Sequence, residues 1–182
     1  MKVVIRNGVI VLDKYEGNDK NVIIPDGVVR IASCAFYECR NLESIEIPDG
    51  VMSIGKRAFD ECRSLKSIEL PQSVMSIGYR AFSECSDLES INIPNGVTSI
   101  REGTFFECRN LIKNIEIPAS VTQIRTEAFY GCSNLESVNI SNGVMSIEDG
   151  AFMACRKLKS IKIPASVTSI GERAFDGGCR LD

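Results

Sequence analysis

Residues 42–62 read LESIEIPDGVMSIGKRAFDEC, and variants of this stretch recur along nearly the whole chain. The pair Ile47-Pro48 recurs with a spacing of 23 residues and one step of 24 between Pro94 and Pro118, and Leu70-Pro71 and Ile140-Ser141 stand at the two positions where it is replaced. Eight positions of the unit are apolar, in the quoted copy Leu42, Ile45, Ile47, Val51, Ile54, Ala58, Phe59 and Cys62. A fixed period of this length is typical of a solenoid, in which each unit forms one coil and buries its apolar side against its neighbours.

Each unit is predicted to contain two short strands and one helical turn. Residues 44–47 alternate polar and apolar side chains, as a strand with one buried face does, and the following proline ends the strand because it cannot donate to a ladder. Residues 51–54 are predicted to form a second short strand. Ala58, Phe59 and Cys62 have the spacing of a single helical turn that packs on the core.

The first 21 residues do not follow the repeat. The segment 3–12 is predicted to form a β-hairpin with Asn7 and Gly8 in its turn. We expect this hairpin, within residues 1–21, to cap about seven repeats that occupy residues 22–182. At the other end Leu181 begins an eighth unit and no cap is recognisable. This pattern predicts end-to-end self-association through the last coil, or a chain excised from a longer array.

Composition narrows the classes of function. The 182 residues include no histidine, which removes Ser-His-Asp and Cys-His nucleophiles and histidine-ligated metals. A net charge of −3 argues against a nucleic-acid partner, and no apolar run is long enough for membrane insertion. We therefore expect no enzyme, no cofactor and no metal. The N-terminus lacks the apolar core of a signal peptide, so we expect a cytoplasmic protein if the chain is complete, and a secreted or surface one if it is excised.

Cysteine is abundant, with eight residues, and seven of them follow the period of 23: Cys39, Cys62, Cys85, Cys108, Cys132, Cys155 and Cys179. This spacing does not match the paired cysteines of metal sites, and side chains that point the same way are poorly placed for disulfides. We predict buried packing residues. The eighth, Cys34, stands in a column that holds arginine in other units, which predicts an exposed free thiol, with a Cys34–Cys39 disulfide as the alternative.

The repeated string Leu-x-Ser-Ile-x-Ile-Pro-x-x-Val-x-Ser-Ile-x-x-x-Ala-Phe-x-x-Cys resembles the BspA-like class of leucine-rich repeats over residues 22–182. Departures are small, with Ser141 in place of proline and Thr104 in place of alanine. The resemblance implies a curved solenoid, α/β horseshoe-like or β-rich, with a parallel sheet on its concave face. It also implies a family found on bacterial and protozoan surfaces, whose characterised members act in adhesion and host-protein binding.

One outward column is the candidate binding surface. The residue between the two strand isoleucines should face solvent on the concave side, and we call this set the strand row: Glu46, Glu69, Asn92, Glu116, Asn139 and Lys162. Stacking of Glu46 on Glu69 would place like charges on adjacent strands. The sequence thus favours a non-enzymatic scaffold for a protein ligand, with adhesion or host interaction as the setting that the resemblance implies. The alternative is a structural spacer within a longer repeat protein.

A second exposed column follows each cysteine and is rich in arginine. We call it the arginine column: Arg40, Arg63, Arg109, Arg156 and Arg180, with Ser86 and Ser133 between them. The simpler interpretation is a solvated rim that pairs with the nearby Glu43, Glu89 or Glu136. The functional alternative is a surface that binds an acidic protein or a glycan.

Overall fold

The computed structural model describes residues 1–112, 114–178 and 180–181, the last two by their backbone alone. Over these residues the chain is a solenoid of short strands and tight turns, without a helix. Seven coils follow a hairpin, and each coil is numbered here by its repeated phenylalanine. The predictions made for Cys179 and for the side chains of Arg180 and Leu181 lie outside the described residues.

Two rows of strands run along the solenoid. After the hairpin strands β1 (Lys2–Arg6) and β2 (Val9–Lys14), the odd-numbered strands form one row: β3 (Asn21–Ile23), β5 (Ser44–Glu46), β7 (Ser67–Ile68), β9 (Ser90–Ile91), β11 (Ile115–Ile117), β13 (Val138–Ile140), β15 (Ser160–Ile161) and β17 (Arg180–Leu181). The even-numbered strands form the other: β4 (Arg30–Ile31), β6 (Ser53–Ile54), β8 (Ser76–Ile77), β10 (Ser99–Ile100), β12 (Gln123–Ile124), β14 (Ser146–Ile147) and β16 (Ser169–Ile170).

Strands of neighbouring coils pair in parallel and in a register that follows the sequence period. Ile45 lies opposite Ile68, and Ile68 lies opposite Ile91. Equivalent residues of successive coils are therefore stacked in columns, as the repeat predicts. The hydrogen-bonded sheets are β1-β2-β4-β6-β8, β10-β12-β14-β16, β3-β5-β7-β9, β11-β13 and β15-β17.

The N-terminal hairpin forms as predicted and extends the row of even-numbered strands. Asn7 and Gly8 have φ of 52° and 76°, the left-handed geometry that a two-residue hairpin turn requires at both positions. Strand β1 pairs antiparallel with β2, which then pairs in parallel with β4. Leu12 is fully buried, and the ring of Tyr15 stacks on Phe36 at 5.2 Å. The hairpin thus covers the apolar end of the first coil.

The segment that follows the second strand of each coil differs from the predicted helical turn. Instead of a helical turn, the chain forms consecutive tight turns, in which Cys62 N–H donates to the carbonyl of Phe59 at 3.1 Å. Alternate N–H groups point along the solenoid, so Phe59 N–H donates to Ala81 of the next coil at 2.8 Å. Arg57 and Glu61, with φ of 53° and 62°, supply the left-handed residues that this geometry needs. The fold is therefore β-rich rather than α/β.

Two internal ladders hold the coils together. The phenylalanine rings stack from coil to coil, with centroids 5.0–5.8 Å apart. Five cysteines are buried beside them, and each thiol donates to the carbonyl of a phenylalanine in the preceding coil at 3.0–3.2 Å: Cys62, Cys85, Cys108, Cys132 and Cys155. The packing role predicted for these five is confirmed. Cys39, next to the cap, is half-buried.

From Gly50 onward, the turn after the first strand of each coil alternates between glycine and serine, and the two residues meet different structural requirements. Ser73 donates its hydroxyl to the carbonyl of Val51 in the preceding coil at 2.8 Å, and Ser120 and Ser166 make the equivalent bond. A Cβ added to Gly143 would lie 1.8 Å from a backbone oxygen of the preceding coil. At Gly50 the space is open, and a φ of 104° is what favours glycine there. Serine thus makes a bond to the preceding coil, whereas glycine meets a close approach at one turn and a left-handed backbone at another.

Candidate functional site

The strand row is placed at one strand position of successive coils. Five of its six members are exposed, and Asn92 is half-buried. The register also places Ile23 opposite Glu46, and 68% of Ile23 is exposed. The row therefore begins one coil earlier than predicted. The match of residues 22–25 to residues 45–48 was the signal that could have revealed Ile23 as its first member.

The row has an acidic end. Glu46 and Glu69 are exposed on adjacent coils, and with Asp49 they line one shallow groove. The structure records no ion pair for these three carboxylates within the described part of the chain. Glu43, by contrast, is bound by Lys20 at 2.7 Å and by Lys66, and these hydrogen bonds lower the pKa of Glu43. The acidic end is therefore a patch of negative charge that the protein leaves uncompensated.

Asn92 has a structural role at the centre of the row. Its amide oxygen accepts from the N–H of Leu70 at 2.7 Å, and its amide nitrogen donates to the carbonyl of Leu70 at 2.7 Å. These two bonds continue the pairing of β7 with β9 beyond the point where the ladder between Ile68 and Ile91 ends. The side chain thus takes the place of a backbone partner and has little capacity left for a ligand.

The remaining members form a hydrogen-bonded pair that keeps the negative charge of Glu116, and a basic end. Asn139 donates to Glu116 at 2.7 Å, and Asn114 donates to the other oxygen of the same carboxylate. Lys162 is exposed and borders a groove of about 770 Å³ that also includes Ile140 and Pro164. The charge of the row therefore changes from negative in coils 2, 3 and 5 to positive in coil 7.

The arginine column does not pair as predicted. Arg40 and Arg63 both bind the carboxylate of Glu61, at 2.8 and 3.1 Å. Arg63 also binds Glu84 at 3.0 Å, and Arg109 binds the corresponding glutamate of its own coil at 2.7 Å. The prediction that these arginines pair with Glu43, Glu89 or Glu136 was wrong. The partners occupy the position two residues before the arginine column, in the same coil or in the next one, where left-handed backbone geometry brings their carboxylates beside the guanidinium groups.

The chemistry available to the thiols is limited. Burial raises the pKa of Cys62, Cys85, Cys108 and Cys132, so these thiols remain protonated and are poor nucleophiles. Cys34 is exposed, and neither it nor Cys39 is in a disulfide, as predicted. Over the described residues, no cluster of three acidic or cysteine side chains is placed to hold a metal, and no helix is long and apolar enough to cross a membrane.

Comparisons with known proteins agree with this architecture. The family description "BspA type leucine rich repeat region" matches residues 14–133 and 105–182. A leucine-rich repeat protein of T. pallidum is 34% identical, with a TM-score of 0.87 over 93% of this chain and 82% of that one. A leucine-rich repeat protein of Eubacterium ventriosum is 27% identical, with a TM-score of 0.85 over 97% of this chain, which spans only 50% of that protein.

A third similar structure is a leucine-rich cell-surface protein of Faecalibacterium prausnitzii. It is 28% identical, with a TM-score of 0.59 over 95% of this chain and 71% of that one. Among curated proteins, no relative matches the chain.

Proposed function

We propose that this chain, which belongs to the BspA-type leucine-rich repeat family, is a protein-binding scaffold that contacts its partner through the strand row. One observation carries the proposal. Glu46 and Glu69 are held side by side on adjacent coils, exposed and without a recorded cation in the described part of the chain, whereas Glu43 and Glu61 each bind two cations. Like charges on adjacent strands lower stability, so a partner that supplies a cation there regains that free energy on binding.

The neighbouring residues suggest the chemistry of the partner. Ile23, 68% exposed, precedes the acidic end of the row, and a large apolar side chain at such a position is typical of a contact surface. A partner with a basic group next to an apolar side chain matches Ile23, Glu46 and Glu69 together. Asn92, which bonds the backbone, would separate this contact from the one near Lys162.

The setting that we propose is surface adhesion or interaction with host proteins. Support comes from the similar cell-surface protein of F. prausnitzii. No member of the row needs to perform chemistry in this role, because rigid display of side chains is sufficient for recognition. The competing function, a structural spacer in a longer repeat protein, predicts that no partner depends on the row.

The proposal is tested with the immobilised chain and a panel of purified extracellular-matrix and serum proteins, by biolayer interferometry. The variant Glu69→Lys reverses one charge of the acidic end, and Glu172→Lys is the matched control, since Glu172 is also exposed but lies in the turns of coil 7. We expect Glu69→Lys to weaken binding about tenfold or more, and the control to leave it within about twofold. If every captured protein binds Glu69→Lys as tightly as the wild type, the row is not the binding surface and the spacer is favoured.

A further inference from the structure

The arginine column changes its surroundings halfway along the solenoid. In coils 1 to 4 a glutamate stands two residues before the column, at a left-handed position: Glu38, Glu61, Glu84 and Glu107, with φ of 55–62°. In coils 5 and 6 the same position holds Gly131 and Ala154, with φ of 72° and 61°. The backbone geometry is therefore kept while the carboxylate is removed.

The first coils show what this position does when it holds glutamate. Glu61 contacts Arg63 of its own coil at 3.1 Å and Arg40 of the preceding coil at 2.8 Å. Glu107 contacts Arg109 at 2.7 Å. For Arg156 the equivalent position is Ala154, and the structure records no ion pair for Arg156 within the described residues. The cation is retained, but its partner is missing.

A notch of about 310 Å³ lies where these carboxylates would be. Arg109, Tyr130, Ser133, Ala154 and Arg156 line it. No hydrogen bond is recorded for the side-chain hydroxyls of Tyr130 and Ser133 in the part of the chain that the structure describes. Guanidinium and hydroxyl groups around one small cavity are the donors that an oxyanion prefers.

The charge near the notch is predominantly positive. Glu107 also lines it, but its carboxylate already binds Arg109 and leans over Gly131, where an added Cβ would lie 2.8 Å from the carboxyl carbon. On the other side Arg156 is followed by the exposed Lys157 and Lys159. An incoming anion would therefore meet uncompensated cations mainly from coil 6.

We propose that this notch binds a carboxylate of an acidic protein segment, which takes the place that Glu61 and Glu84 hold in the first coils. A protein carboxylate is favoured because the same surface already accepts glutamate side chains, whose carboxylates make charge-assisted contacts to one or two guanidinium groups of the arginine column. The notch lies outside the strand row. The proposal therefore goes beyond the function proposed above, and either can fail while the other stands.

The decisive variant is Ala154→Glu, which supplies the missing carboxylate from within the chain. Glutamate fits this backbone, since four other coils hold it at the same left-handed position. The probe is a fluorescein-labelled hexaglutamate peptide, and binding to the full chain is measured by fluorescence anisotropy at low salt. We expect Ala154→Glu and Arg156→Ala each to raise the Kd about tenfold or more, as loss of a charge-assisted hydrogen bond does.

The matched control is Arg63→Ala, which removes the same charge from the half of the column that is already paired. It should change the Kd by less than about threefold, and far-UV circular dichroism should show that all three variants are folded. The proposal is overturned if the wild type does not bind the peptide, if Ala154→Glu binds it unchanged, or if Arg63→Ala weakens binding as much as Arg156→Ala. It is also overturned, in favour of a glycan, if a sulfated oligosaccharide binds more tightly than the peptide and loses affinity in Ala154→Glu.

Discussion

Replacement of Asn92 by aspartate should destabilise the solenoid at neutral pH by more than its position on the surface suggests. Asn92 donates to the carbonyl of Leu70 at 2.7 Å, and in Asn92→Asp an anionic oxygen would face that carbonyl. The variant loses one hydrogen bond, and its carboxylate oxygen and the carbonyl oxygen of Leu70 are two acceptors that face each other in a half-buried place. Together these effects lower the free energy of unfolding by about 2 kcal/mol. For a chain of this length that corresponds to a fall in Tm of about 4–8 °C.

The loss should depend on pH in a defined direction. The carbonyl of Leu70 disfavours the charged form, so a cost of about 2 kcal/mol raises the pKa of the introduced carboxyl from about 3.9 to roughly 5 or more in the folded state. An acidic group whose pKa is higher in the folded than in the unfolded state destabilises the fold at pH values above its folded pKa. The destabilisation disappears at pH values below its unfolded pKa. The protonated carboxyl can again donate to Leu70, and at pH 4 the deficit should fall to about 0.5 kcal/mol.

Asn142→Asp is the control, since Asn142 is exposed and the equivalent position of coil 2 already holds an aspartate, Asp49. The introduced charge can be solvated there, so we expect a loss of about 0.5 kcal/mol at pH 7. Thermal melts of wild type and both variants, followed by circular dichroism at pH 7 and pH 4, give the comparison. Equal losses at the two sites, or a loss in Asn92→Asp that is the same at both pH values, would refute the backbone-bonding role of Asn92.

Two further predictions concern the internal ladders. Iodoacetamide should label Cys34 in the native protein and leave Cys85 unlabelled until unfolding, because burial raises the pKa of the Cys85 thiol. Peptide mass spectrometry measures the rate at which each cysteine is labelled, and similar rates for the two in the native protein would contradict the prediction. Phe82→Ala should cost about 3–5 kcal/mol, since Phe82 is fully buried between rings at 5.3 and 5.8 Å. Phe175→Ala, at a half-buried ring with one stacked neighbour among the described residues, should cost clearly less in urea unfolding, and equal costs would count against the ladder.

The repeat made the buried part of the fold predictable. Apolar columns can be buried only if equivalent residues stack, so the period determines the register, and the alternation in residues 44–47 gives the strand. The helical turn was wrong because the spacing of Ala58, Phe59 and Cys62 suits a tight turn equally well. What decides between them is the bond from Phe59 N–H to the next coil, and no pattern within a single unit contains that information.

The exposed columns were predicted less well. Arg63 has glutamates on both sides in the sequence, and chain spacing does not show which carboxylate lies beside it. The left-handed backbone at Glu61 decides the pairing, and it follows from the turns that the sequence did not predict. Likewise Asn92 and Asn139 stand in the same column, and only the place where the β7–β9 ladder ends distinguishes a backbone partner from a displayed side chain.

The architecture itself explains how one chain could carry two binding surfaces of opposite charge. Bonds between coils are made mostly by backbone groups and buried side chains, so an exposed position keeps its place whatever residue it holds. Ala154 and Glu61 show this directly, since φ is 61° and 62° at the two sites although one has a carboxylate and the other does not. Surface changes of this kind usually alter stability by less than about 0.5 kcal/mol. The acidic end of the strand row and the notch beside Arg156 can therefore vary independently of each other and of the core. Exposed positions that depart from the repeat are thus the positions at which the surface can adapt to a binding partner without loss of the fold.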